Sequence, residues 1–99
     1  MPYMIETTDK PGHQDLRQQV RADHLRFLEA KKHLLLAAGA RLADEGGDAL
    51  GGLYILDVDD RASAERFIAE DPFTRAGLFD SVVVTRWRKA FFNFENCLS

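Results

Sequence analysis

From Gln14 to Ala38 the chain contains neither proline nor glycine and is dense in Leu, Ala, Arg, Gln, Glu and Lys. That run predicts one long helix, closed by Gly39 as its C-terminal cap, and the other elements must be arranged around it. Ahead of it, residues 1–8 (MPYMIETT) are β-rich and stop at Asp9-Lys10-Pro11-Gly12, which predicts a short strand and a turn. After it, Ala40 to Asp44 reads as a short strand and Glu45-Gly46-Gly47-Asp48 as a loop. Leu53 to Val58 alternates, with Leu53 and Ile55 on one face and Tyr54, Leu56 and Val58 on the other, as a strand requires. Asp59 to Ser63 supplies a turn and a capped start for a second helix, which runs to Glu70 and stops before Pro72. A single turn around Gly77 leads into a last strand, Asp80 to Lys89. The tail that follows has Phe91, Phe92 and Phe94, too apolar to hang free in water, and is expected to pack on its own domain or on a neighbour.

The order β-α-β-β-α-β is the ferredoxin-like α+β pattern: a four-stranded antiparallel sheet with both helices on one face. With 99 residues there is no further element to cover the other face, so a homodimer through that sheet face is expected. The domain is assigned to residues 1–92 and the tail to 93–99.

Charge narrows the function classes. Thirteen basic against sixteen acidic residues give a net −3, which argues against a nucleic-acid binder. No apolar run is long enough to span a membrane, and the start of the chain lacks the pattern of a signal peptide. One cysteine, Cys97, cannot form an internal disulfide, and a cytoplasmic location is the simple expectation. His13, His24 and His33 do not have metal-ligand spacing, so no metal is expected. No glycine-rich turn joins a strand to a helix, so no phosphate loop or other cofactor site is expected either. Ser63 and Ser81 lack any partner pattern of a nucleophile.

One residue is out of place. On a helical wheel His24 lies within the apolar arc formed by Leu16, Val20, Phe27, Leu28, Leu34 and Leu35, and Arg17 and Arg21 line the edge of that arc. Lys31 also falls inside it, a misfit explained by snorkelling or by a bend. A core-facing imidazole is either a hydrogen-bonded structural group or a proton-transfer group facing a pocket. Under the second reading the two arginines attract an anionic substrate, and under the first they are a solvated helix edge. Asp71 has two readings as well: it shapes the turn before Pro72, or its carboxylate orients His24 by accepting a ring N–H. Tyr54, Phe73 and the tail phenylalanines are candidates for an aromatic pocket lining.

Several segments together resemble the YciI-like (YCII-related) family, over about Tyr3 to Phe92. These are Val20-Arg21-Ala22-Asp23-His24-Leu25, Leu35 to Gly39, Gly51 to Leu56, Ala69 to Leu78 with its Asp-Pro-aromatic signature, and Val82 to Lys89. The resemblance implies a ferredoxin-like α+β barrel closed by dimerisation, with His24 and Asp71 as a catalytic dyad in a cleft. It also implies a cofactor-independent reaction. One activity in the family is dehydrochlorination of a chlorinated hydroxyquinol, and related barrels include muconolactone isomerases and chloromuconolactone dehalogenases. A dehydrochlorinase-type lyase is therefore the expected function; a muconolactone-isomerase-like enzyme and a non-catalytic small-molecule-binding dimer are the alternatives. Two positions depart from the family pattern: Ala40 after Gly39 and Ala22 after Arg21 stand where proline is frequent.

Overall fold

The fold was obtained as a computed structural model, which describes residues 2–98. Met1 and Ser99, the outer ends of the expected first strand and tail, lie outside the described residues. Strand β1 (Tyr3–Asp9) leads through a turn at Gly12, whose φ of 75° suits glycine, into helix α1 (Gln14–Ala30). A 3₁₀ turn (Lys32–Leu34) precedes β2 (Leu35–Leu42) and β3 (Ala49–Leu56). Helix α2 (Arg61–Glu70), the short α3 (Pro72–Arg75) and β4 (Phe79–Arg86) complete the domain. The four strands form one antiparallel sheet in the order β2-β3-β1-β4, the ferredoxin-like arrangement.

The helical run is shorter than its composition predicts. Helix α1 ends at Ala30, and Leu35 to Leu42, with Ala38 and Gly39 inside it, is extended. Residues of high helix propensity are held as strand by pairing with β3, from Leu35 opposite Leu56 to Leu42 opposite Ala49. Tertiary pairing here overrides local preference. Lys31, the misfit on the wheel, is the C-cap: its N–H reaches back to the carbonyls of Phe27 and Leu28. The expected strand at 40–44 thus begins five residues earlier, and Leu34 and Leu35 leave the helix altogether. Strand β3 also starts earlier than expected and takes in Gly51 and Gly52, whereas β4 stops at Arg86 rather than at Lys89.

The core lies between the sheet and the helices. Tyr3 and Ile5 of β1, Tyr54 and Leu56 of β3, and Ala64, Phe67 and Ile68 of α2 are buried together with Val58. Phe27, Leu28 and Leu34 pack against them from the α1 side. Helix α2 begins as its sequence predicts, with the Asp60 side chain accepting from Ser63 N–H at 2.7 Å. The opposite sheet face is uncovered: Leu53 and Val83 flank Glu6 across the sheet and are 37% and 53% exposed. The tail folds back as a hairpin, β5 (Phe91–Phe92) against β6 (Glu95–Asn96), turning at Asn93 and Phe94 with positive φ at both. It does not bury its aromatics in the domain. Phe91 and Phe94 are exposed, and Phe92 is half-covered beneath the Lys89 ammonium. Among the described residues no helix is long and apolar enough to cross a membrane.

Candidate active site

The turn between α2 and α3 makes the site. Pro72 disfavours helical geometry at Asp71, so α2 stops there and Asp71 adopts φ −62° and ψ 130°. In that conformation its side chain caps α3, accepting from Phe73 N–H at 2.8 Å. The same carboxylate accepts from His24 Nδ1, at 2.9 and 3.0 Å to its two oxygens, and from the Tyr54 hydroxyl at 3.1 Å. Asp71 is wholly buried, and three donors from α1, β3 and α3 converge on it. With both oxygens acting as acceptors, the imidazole proton sits on Nδ1 and the lone pair on Nε2.

His24 has little freedom. Its ring stacks on Phe73 at 4.0 Å between centroids and 15° between planes, and the edge of Tyr54 meets it at 6.3 Å. Phe73 is fully buried and carries on its own ring the Arg17 guanidinium, 4.7 Å from the centroid. Arg17 in turn donates from Nε to Asp9 at 2.7 Å. The Tyr54 phenol is pushed far above its ordinary value, first by burial and then by the charge of Asp71 and the hydrogen bond to it. It is therefore a fixed donor at neutral pH.

Above this base lies a cavity of about 210 Å³, between α1 and the strands β2 and β3. Arg17, Arg21, His24, Leu25 and Leu28 line one wall, and Ala38, Gly39, Ala40, Gly51, Gly52 and Tyr54 the other. A cavity of about 150 Å³ is enough for benzene, so this one accommodates a single substituted ring. Asp71 is behind His24 and does not line it. Gly51 and Gly52 keep the strand wall thin. A Cβ on Gly51 would sit 1.8 Å from the carbonyl oxygen of Thr7, and one on Gly52 would press on the Tyr54 ring at 3.1 Å. Thr7, also wholly buried, accepts from Gly52 N–H at 2.7 Å.

Of the residues singled out in the sequence, His24, Asp71, Tyr54, Phe73 and Arg17 thus form one contiguous cluster, and Arg21 joins them at the cavity wall. The tail phenylalanines do not line the cavity. Asp9, the partner of Arg17, carries no signal in the sequence beyond its role in a turn. The small residues of β2 are equally silent until the strand is recognised. Among the described residues no group of three potential metal ligands occurs.

A ferredoxin-like α+β domain with a histidine–carboxylate pair at the base of a small cavity is the class of protein that this geometry defines. The chain belongs to the YCII-related domain family, whose model matches residues 1–88. It is 33% identical to 5-chloro-2-hydroxyhydroquinone dehydrochlorinase from Burkholderia phenoliruptrix AC1100, solved in complex with 2,5-dihydroxybenzoquinone. That match covers 89% of this chain and 94% of the other, with a TM-score of 0.83. An uncharacterized protein of Haemophilus influenzae is 29% identical over 98 residues, spanning 92% of this chain and all of the relative. A hypothetical Arabidopsis thaliana protein shares the fold alone, at 9% identity and a TM-score of 0.52, over 93% of this chain and 89% of the other.

Proposed function

We propose that the protein is a cofactor-independent lyase of the dehydrochlorinase type, acting on a chlorinated hydroxyquinol or a similar intermediate of aromatic degradation. The observation that carries this reading is the buried His24–Asp71 contact of 2.9 Å through Nδ1, made by a histidine that also lines the cavity. Asp71 holds the tautomer, and Nε2 is the general base; positioned proton transfer of this kind contributes about 10²–10⁴-fold. On a ring with a hydroxyl para to chlorine, Nε2 takes that hydroxyl proton, and the ring ketonises by accepting a proton at the chlorine-bearing carbon. A second hydroxyl then loses its proton, and its electrons run through the adjacent ring double bond to expel chloride. The net change is loss of HCl, with no external oxidant or reductant. The likeness to a dehydrochlorinase at 33% identity supports this choice over lactone isomerisation, which uses the same proton transfers.

The working unit is a homodimer. Leu53 and Val83 on the uncovered sheet face, with Met4 and Ile55 in the neighbouring row, supply an apolar seat for a second copy. The small-molecule substrate binds within each subunit, against Arg21, Tyr54 and the Phe73-backed histidine, with the Asp9-paired Arg17 at the cavity's edge. The setting is a reducing cytoplasm, in keeping with an exposed free Cys97.

The test is chloride release and the accompanying change in the ring's absorbance from 5-chloro-2-hydroxyhydroquinone. Wild type, His24→Ala and Asp71→Asn are compared, each checked for folding. Turnover lost in both variants supports the dyad. Binding without turnover in the wild type leaves a small-molecule-binding dimer, and unchanged turnover in the variants rejects the site.

A further inference from the structure

The two arginines of the cavity wall have different surroundings. The Arg17 charge is already met: its Nε and Nη2 lie 2.7 and 3.5 Å from the Asp9 carboxylate, in a pair only 13% and 9% exposed. Its guanidinium also lies on the Phe73 ring, whose stacking partner is His24. Arg17 and His24 are two turns apart on α1, about 10 Å along the axis, and Phe73 enters between them. Arg21 is one turn from each. Among the described residues it has neither an ion pair nor a side-chain hydrogen bond, and no carboxylate lines the cavity that it faces. Its side chain also borders the adjoining cleft, whose lining includes Gln14, Gln18 and the carboxylate of Asp48, with which Arg21 makes no ion pair. The uncompensated positive charge of the cavity is therefore that of Arg21.

We propose that Arg21 is the anion-binding residue of the cavity, selecting a planar ring that presents an ionised oxygen away from the one addressed by His24, and that Arg17 is a positioning residue acting through Phe73. This rests on reading the cavity as the substrate pocket, and it narrows the substrate class to polyhydroxylated rings that bind with one oxygen ionised while another keeps the proton that His24 takes. Residues three apart on a helix have Cβ atoms about 5–6 Å from one another, roughly the span between oxygens across one ring. One ring can thus meet Nε2 of His24 with one oxygen and the Arg21 guanidinium with another. A guanidinium meets that ionised oxygen with charge-assisted N–H donors held in a fixed plane, which an ammonium does not. Arg17 has no such freedom, since moving it toward a ligand would strip both Asp9 and Phe73.

The experiment compares two probes by calorimetry: 2,5-dihydroxybenzoquinone, whose acidic hydroxyls ionise in neutral water, and hydroquinone, a ring of similar size with two para hydroxyls that stay protonated there. The wild type is expected to prefer the anionic probe at least about tenfold, the scale of one hydrogen bond to a charged group. Arg21→Gln abolishes that preference, and Arg21→Lys restores part of it. Arg17→Gln and the milder Arg17→Lys keep the preference within about threefold, while the His24 ring resonances shift and kcat for chloride release falls with KM little changed. A preference that survives Arg21→Gln, or that vanishes with Arg17→Lys instead, overturns the assignment. So does a wild type that binds neither probe. A wild type that binds with the expected preference but releases no chloride retires dehydrochlorination and leaves the division between the arginines standing.

Discussion

Replacing Tyr54 by phenylalanine removes one oxygen from the base of the site and nothing else of its shape. At neutral pH the loss is one hydrogen bond to a buried carboxylate, about 2 kcal/mol by the usual range for charged partners. The informative part is its pH dependence. In the unfolded chain the phenol ionises near its model value of 10.0, whereas burial and Asp71 keep it protonated in the folded protein at far higher pH. The folded value is raised, so this contribution is whole below pH 10 and is lost as pH rises beyond it, because the unfolded chain then releases a proton that the folded one retains. The wild type is thereby weakened relative to Tyr54→Phe by about 0.4 kcal/mol near pH 10 and about 1.4 kcal/mol near pH 11. The stability gap should therefore narrow from about 2 kcal/mol near pH 7 to about 1.6 near pH 10 and about 0.6 near pH 11. Urea unfolding of both proteins between about pH 7 and 11, followed by Trp87 fluorescence or circular dichroism, measures it. Other groups titrating there cancel in the difference. A gap that stays constant to about pH 11 refutes the reasoning, as does a spectrophotometric titration in which both tyrosines of the folded chain ionise near 10.

Other perturbations follow from the same contacts. Asp71→Asn places an amide among three donors, so its NH₂ must face one of them; His24 then turns to the tautomer with Nε2–H, and activity falls about 10²–10⁴-fold with the fold retained. The ring's nitrogen resonances report the tautomer. Gly51→Ala drives a Cβ into the Thr7 backbone and should cost about 3 kcal/mol or more by denaturant unfolding, whereas Gly52→Ala needs shifts of only a few tenths of an ångström and chiefly shrinks the cavity, raising KM. Val83→Glu puts a second carboxylate directly opposite Glu6 on the uncovered sheet face; on the proposed homodimer the wild type sediments as a dimer and this variant as a monomer, with the monomer fold intact by circular dichroism.

What could be seen in the sequence followed from local rules. His24 stood out because an imidazole inside an apolar arc needs an explanation, and Asp71 because Asp-Pro ends a helix and leaves a carboxylate at the break. That the two meet follows only from the packing of α1 against α3. Strand β2 is not legible locally: Leu35, Leu36, Ala37 and Ala38 favour helix strongly, and what holds them extended is the neighbouring strand, which no local pattern reveals. The Arg17–Asp9 pair is hidden for a related reason: the turn that Asp9 begins already accounts for an aspartate there. Composition calls for the tail aromatics to pack on their own domain or on a neighbour; within the chain a two-residue turn with positive φ at Asn93 and Phe94 holds them in a hairpin that leaves Phe91 and Phe94 outside.

The three donors on Asp71 come from segments far apart in the chain, so the floor of the cavity cannot breathe without separating α1, β3 and α3. Hydrogen exchange at the Phe73 amide should therefore be as slow as global unfolding allows. Ligand traffic and change of ligand must be accommodated at the opposite wall, the edge strand β2 and the adjoining residues 43–48. There Ala38, Gly39 and Ala40 leave room that larger side chains could fill without disturbing the carboxylate. Under the proposed function, a scaffold divided in this way can diversify its substrates along one strand while the His24–Asp71 pair stays the same.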